Sequence, residues 1–186
     1  MADQPVCLVT GVGPGTGTAL VRRFHEGGYA VAMLTRTKAR LDALEAELPN
    51  AKGYVCDLAD EAAVNAAVSA VGEDLGAPEV VIHNAVGGAR GDFMTIDPAI
   101  LQQNFQVNVM GLLYLSRAVA PAMIDAGHGS IIVTGNTAAT RGKDFFAGFA
   151  PTKAAQRILA ESIARSVGPK GVHVAYIIID AVIDLR

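Results

Sequence analysis

Tryptophan is absent from this chain, cysteine occurs twice, and aromatic residues make up 5%. Charge is sparse as well: charged residues are 18% of the chain, and 15 basic against 18 acidic residues leave −3 at pH 7. Each shortage excludes something. Without a basic surplus (pI ≈ 5.8) the chain has no electrostatic footprint for nucleic acid or an anionic membrane, so neither is an expected partner. Cys7 and Cys56 sit far apart in apolar stretches and form neither a disulfide framework nor a CxxC redox pair, so they read as reduced core thiols. No apolar run approaches the ~20 residues of a membrane span. The chain enters a strand pattern at Pro5-Val6 with no charged leader, which makes the cytoplasm the expected compartment. His83 has no second His, Cys, Asp or Glu at ligand spacing; no metal is assigned, and His83 is expected to pack and hydrogen-bond.

What is present is apolar and small. Hydrophobic residues are 51% of 186, with 20 glycines, and the mean hydropathy is +0.35. That excludes disorder and supplies one substantial core, so residues 1–186 read as a single domain. Short apolar runs at 6–10, 30–35, 53–56, 80–83, 130–134 and 172–179 do not alternate polar with apolar, the pattern of strands buried on both faces. Between them lie helical spacings: Leu41, Leu44 and Leu48; Val64, Val68, Val71 and Leu75; Leu112, Leu115 and Val119 within 98–126, where Pro121 is expected to bend or break the helix; and 151–167, which stops at Gly168-Pro169. Strand and helix alternating about six times predict an α/β fold: a Rossmann-type, doubly wound parallel sheet with helices on both faces. Ligands of such sheets bind beyond the carboxyl ends of the strands.

The first strand runs into Thr10-Gly11-Val12-Gly13-Pro14-Gly15-Thr16-Gly17, which opens a helix. A glycine turn there lets main-chain amides approach a pyrophosphate at the positive end of the helix dipole. The spacing is T-G-x-x-x-G-x-G; neither G-x-G-x-x-G nor G-x-x-x-x-G-K-[ST] fits. Some twenty residues on, where a carboxylate would favour NAD(H), stand Thr35 and Arg36, with Lys38 and Arg40 beyond. A hydroxyl and a guanidinium suit a 2′-phosphate, so NADP(H) is expected over NAD(H); Lys38 and Arg40 could equally face water. Asp57, before Leu58, either accepts from an adenine amino group or caps the helix starting near Asp60. Asn84, before Ala85, can tie strand ends together beside the cofactor.

Taken together, the Thr10–Gly17 loop, Asp57-Leu58, Asn84-Ala85, Val107-Asn108-Val109-x-Gly111 and Phe149-x-x-x-Lys153 resemble the short-chain dehydrogenase/reductase family in order and spacing over nearly the whole chain. The resemblance implies a nicotinamide cofactor touching Gly11, Gly13, Gly15, Thr16, Gly17, Thr35, Arg36, Asp57, Leu58, Asn84, Ala85 and Lys153, and a small carbonyl or alcohol substrate. It also implies a homo-oligomer, a dimer or tetramer, built on helices around 104–126 and 151–167. The family's chemistry uses a tyrosine to exchange the proton and a lysine four residues later. A serine holds the substrate oxygen, and an asparagine anchors a water chain. The asparagine maps onto Asn108 and the lysine onto Lys153, whereas the tyrosine position is Phe149 and the serine position Asn136.

A benzyl group has no proton to exchange at any pH, and losing a general acid lowers rates by roughly 10²–10⁴. Asn136 can still polarise a carbonyl through its amide. Tyr29, Tyr54, Tyr114 and Tyr176 are all distant from Lys153 in sequence, and only the fold could bring one close. After the sixth strand the family's Pro-Gly and threonine positions hold Asp180-Ala181 and Leu185, and the substrate-covering region is expected to be absent from these 186 residues, either because the chain is a fragment or because it is naturally short. An apolar edge strand (Ile177, Ile178, Ile179) would then lie uncovered. Two readings follow: an oxidoreductase with altered proton delivery, or a catalytically inactive NADP(H)-binding sensor or assembly subunit. A different nucleotide-binding α/β domain is a third.

Overall fold

A computed structural model describes residues 4–181 and Ile183. Six strands form one parallel sheet in the order β3-β2-β1-β4-β5-β6. They are β1 (Val6–Thr10), β2 (Ala30–Thr35), β3 (Ala51–Val55), β4 (Val80–His83), β5 (Gly129–Asn136) and β6 (Val172–Ile179). Four of the six predicted strands keep their boundaries. β3 begins two residues earlier and ends one earlier than predicted, and β5 extends through Gly135-Asn136, where pairing with Ile178 and Ile179 prolongs the ladder.

The absence of alternation in the inner strands has a direct cause. Along β1, Leu8 belongs to one apolar cluster and Cys7 and Val9 to another, because successive side chains point to opposite faces and both faces are covered. One face packs α1 (Thr16–Glu26) and α2 (Lys38–Glu47) through Val21, Leu41 and Leu44. The other packs α3 (Glu61–Asp74), α5 (Gly111–Ala126) and α6 (Ala150–Val167) through Val64, Val71, Leu115, Val119, Ala160 and Val167. Asp60 caps α3, its carboxylate accepting from the amides of Ala62 and Ala63.

The helical segment 98–126 departs from expectation. It comprises α4 (Pro98–Phe105), a π-helical turn (Gln106–Met110) and α5 in unbroken succession. Pro121 does not break it. Pro121 and Arg117, whose carbonyl loses its partner, both lie on the exposed side, where water can serve that carbonyl. The irregularity falls instead at the π turn that carries Asn108. Although Pro98–Ala126 is long and apolar enough by composition to cross a membrane, its stripe of Val109, Leu112, Leu115, Val119 and Met123 is core. β6 pairs only with β5 among the described residues; Ile177 and Ile178 are each 47% exposed, as expected of an edge, whereas Ile179 is half-buried because it turns into the cavities beside β5. Leu185 lies outside the described residues.

Candidate functional site

The strand order reverses direction between β1 and β4, and there a cleft of about 670 Å³ opens at the carboxyl ends of the strands. Gly11, Gly13, Gly15, Thr16, Gly17, Thr35, Arg36, Asp57, Leu58, Asn84 and Ala85 all line it. Two glycines are compelled by geometry. Gly11 has φ +65°, and a Cβ there would lie 2.4 Å from the Ala85 Cα; a Cβ at Gly17 would lie 2.5 Å from the Gly11 carbonyl oxygen. The turn is therefore pressed against the end of β4. No backbone acceptor meets the amides of Gly15, Thr16 and Gly17 among the described residues, and the first turn of α1 holds no acidic residue. Free amides at an uncompensated helix N-terminus suit an anion, so the residues present fit a dinucleotide diphosphate.

At one end of the cleft stand Arg36 and Arg40. Arg40 is anchored by donating to the Val12 carbonyl (3.3 Å), and Arg36 lies 3.9 Å from Asp57. Lys38 turns away and pairs with Asp42 at 2.6 Å. Asp57 does not cap α3; its Oδ1 accepts from the Ala59 amide at 3.0 Å, which holds the carboxylate at the cleft wall.

Asn84 joins three strand ends. Its amide donates to the Gly11 carbonyl (2.9 Å), its Oδ1 accepts from Thr134 Oγ1 (3.1 Å), and its main-chain N–H donates to Thr10 Oγ1 (3.1 Å). Thr10 is fully buried and donates onward to the Ile82 carbonyl at 3.3 Å. Side-chain hydrogen bonds thus tie the glycine turn to the ends of β4 and β5.

Beyond Asn84 the cleft meets a hollow of about 270 Å³, lined by Thr16, Asn84, Thr134, Asn136, Phe149 and Lys153 among others. Phe149 and Lys153 fall one turn apart at the start of α6 and share its inner face. Asn136 accepts from the Ala138 amide (2.7 Å) through Oδ1, which leaves its Nδ2 donors with no protein acceptor among the described residues. Lys153 is only 3% exposed, and burial pushes its ammonium down to about 8. Its Nζ donates to the Thr134 carbonyl (3.0 Å) and to the Gln156 side-chain oxygen.

Asn108 is fully buried and does not line the hollow. Its side chain accepts from the Gly87 amide (2.8 Å) and donates to the Gly87 carbonyl (2.7 Å) and Thr152 Oγ1 (2.8 Å). Its main-chain carbonyl accepts from Gln156 Nε2 at 2.7 Å. Gln156 therefore bridges Asn108 and Lys153 directly, a connection that a residue-by-residue reading of the sequence misses. The one available signal was a glutamine on the apolar face of α6.

Tyr176 is the tyrosine that the fold brings near Lys153, with the ring centroid 5.9 Å from Nζ. The ring occupies the space beside Gly135, where a Cβ would lie 2.0 Å from a ring carbon. Its hydroxyl, however, donates to the Lys153 main-chain carbonyl (3.3 Å), and burial raises it to about 12. The ring lines neither the hollow nor the cleft, so Tyr176 does not replace a phenol at 149. His83 corrects another expectation: it is fully buried, and neither ring nitrogen has a partner. Burial first, and the Lys153 charge second, lower it to about 3. Among the described residues no three His, Cys, Asp or Glu side chains group to hold a metal.

A sequence profile of the short chain dehydrogenases matches residues 5–182. The chain belongs to the short-chain dehydrogenase family. It is 33% identical over 168 residues to D-erythrulose reductase of Gallus gallus, covering 90% of this chain and 67% of that protein. It is 30% identical over 168 residues to carbonyl reductase [NADPH] 2 of Sus scrofa, with the same coverage. The crystal structure of a metagenomic short-chain oxidoreductase in complex with NADP superposes with a TM-score of 0.89 at 30% identity, covering 96% of this chain and 83% of that one. The chain spans about two thirds of the length of these curated relatives. Family membership and the Rossmann-type sheet agree, because the cleft sits at the same reversal of strand order that the glycine turn and Asn84 hold together.

Proposed function

We propose that this chain is the cofactor-binding domain of an NADP(H)-dependent oxidoreductase acting on a small carbonyl or alcohol, with no phenol at position 149 to carry the proton. One observation carries the reading: a single groove leads from Arg36 and Arg40, past the amides of Gly15–Gly17 and the Asn84 clamp, to a hollow walled by Asn136, Phe149 and Lys153. The bound cofactor would supply the hydride. Arg36 and Arg40 would hold a 2′-phosphate, and the α1 amides the diphosphate. Lys153 would face the ribose end, and Asn136 Nδ2 would donate to the substrate oxygen. Phe149 leaves proton delivery to water or to the substrate.

A carbonyl reductase that names NADPH among the relatives supports the cofactor and substrate class. The reading includes a cytoplasmic location and a dimer or tetramer on α5 and α6, where Ile158 is 51% exposed and would be covered. A second reading, a catalytically inactive NADP(H) binder, is favoured by Phe149 at the hollow and by the Tyr176 hydroxyl, which is tied to main chain.

Fluorescence titration with NADPH and NADH is the test. Saturable binding, tighter for NADPH, is expected. Arg36→Gln should weaken NADPH by about tenfold while leaving NADH within a factor of about two, the loss of one charge-assisted contact. Equal affinities for the two cofactors overturn the NADP(H) assignment. Binding without NADPH oxidation across neutral and charged carbonyls favours the inactive binder.

A further inference from the structure

A second cavity, of about 870 Å³, adjoins the dinucleotide cleft across Val86 and Gly88, which line both. It also shares Asn136 and Phe149 with the hollow that holds Lys153. Its partly buried wall is apolar, formed by Phe146, Phe149 and Ile179; the two rings stand 6.3 Å apart and tilted. Its exposed lining carries three cations, Arg90, Arg141 and Lys143, against one carboxylate, Asp180.

Asp180 is already engaged. Its Oδ1 accepts from Thr137 Oγ1 (3.1 Å) and its Oδ2 lies 3.9 Å from Arg141. Arg90 and Lys143 have no carboxylate partner among the described residues, and Lys143 rests 5.9 Å from the Phe146 ring centroid. The neighbouring carboxylates do not cancel them. Asp92 accepts from the amides of Met94 and Thr95 in its own turn, Asp144 accepts from the Phe145 amide, and neither lines the cavity. Among the described residues the cavity lining is thus net positive, in a chain whose overall charge is −3. Low-dielectric walls carrying charge of one sign focus the field on a ligand of the other sign. Two guanidiniums present planar forks that match an oxyanion.

We propose that this cavity takes a carbonyl substrate bearing an oxyanion, a carboxylate or a phosphate, with the anion held by Arg90, Arg141 and Lys143 and the body of the molecule lying on Phe146 and Phe149. The carbonyl half of this statement rests on the function proposed above; the oxyanion half rests on the cavity alone.

Calorimetric titration of the 186-residue chain, alone and with NADP+, separates the two. The probes are matched pairs: benzoylformate with its methyl ester, 4-oxo-4-phenylbutanoate with its methyl ester, and dihydroxyacetone phosphate with dihydroxyacetone. In at least one pair the charged member is expected to bind about tenfold or more tightly than the neutral one. The pair that responds tells carboxylate from phosphate. In the triple variant Arg90→Gln/Arg141→Gln/Lys143→Gln that preference should fall to within about twofold, with NADPH affinity and the thermal midpoint unchanged. Preference for the neutral member, a preference that survives the triple variant, or no binding by any probe overturns the proposal. Failure of NADP+ and NADPH to bind, with the charge preference intact, overturns the oxidoreductase reading and leaves the oxyanion site standing.

Discussion

The Gln156 amide spans the gap between the Asn108 main-chain carbonyl and the Lys153 ammonium, donating to the first and accepting from the second. All three residues are buried. A neutral acceptor on a buried ammonium favours its charged form, opposing the burial that lowers it. Replacement by Gln156→Leu should therefore move Lys153 below about 8, and Gln156→Glu should move it up. Titration of ¹³Cε-labelled lysine by NMR reads both. The leucine variant should also lose about 1–3 kcal/mol of stability, because two buried hydrogen bonds, one to the Asn108 carbonyl and one from the Lys153 ammonium, are removed. No movement of the Lys153 resonance in either variant would remove Gln156 as a positioning residue.

Lys153 and His83 give pH signatures of the same sign on different sides of neutrality, because folding lowers both and stability rises with pH through each window. The ammonium falls from 10.5 to about 8 on folding, so between those values the unfolded chain binds more protons and stability rises with pH. Below pH 8 the full penalty, roughly 3 kcal/mol, is present. In urea unfolding, wild type should gain on Lys153→Met between pH 8 and 10, and that difference isolates the lysine from the cysteines.

His83 falls from 6.5 to about 3, chiefly through burial. Its contribution is intact above pH 6.5 and is lost as the pH drops from 6.5 towards 3, because the unfolded imidazole protonates while the folded one stays neutral. A His83→Leu variant should resist acid better than wild type, with its unfolding midpoint displaced to lower pH. Identical acid transitions would contradict an unpartnered, neutral imidazole.

Placing a phenol in the hollow is the decisive substitution for catalysis. The Phe149 ring already lines the wall that Lys153 shares, and an ammonium nearby lowers a phenol. Phe149→Tyr should raise NADPH-dependent carbonyl reduction by about 10²-fold or more, read as the loss of NADPH absorbance. An unchanged rate with folding and cofactor affinity intact counts against this placement of the site.

Gly11→Ala tests the cradle. The added methyl would sit 2.4 Å from the Ala85 Cα at a φ of +65°, so overpacking and left-handed strain combine to about 2–4 kcal/mol. Thermal unfolding should show this loss, and NADPH affinity should fall with it, because the turn and the end of β4 are forced apart.

The inner strands were legible because both faces are buried, and a run such as Val6–Thr10 shows this directly. The edge strands β3 and β6 are not buried on both faces as their runs predict, since each has a neighbour on one side only (Val55 is 60% exposed). The cleft residues were legible because glycine has one physical use at a crowded turn, which Gly11 and Gly17 both display. Pro121 misled because the cost of proline depends on whether the freed carbonyl faces water, and that is a matter of which side of the helix it occupies. His83 misled because polarity in the sequence carries no information about whether a partner stands nearby in the fold.

The chain's order of residues determined the parallel sheet, the glycine turn and the absence of a hydroxyl at 149, since each depends on local periodicity or on side-chain chemistry alone. Only the tertiary structure decided that Gln156 links Asn108 to Lys153, that the Tyr176 hydroxyl turns to main chain, and that Arg90, Arg141 and Lys143 gather round one cavity. Asn108 and Gln156, Lys153 and Tyr176, and Arg90 and Lys143 each come from different parts of the fold, up to 53 residues apart in the chain (Arg90 and Lys143), and their meeting depends on how the loops after β4 and β5, the π turn and the start of α6 pack together.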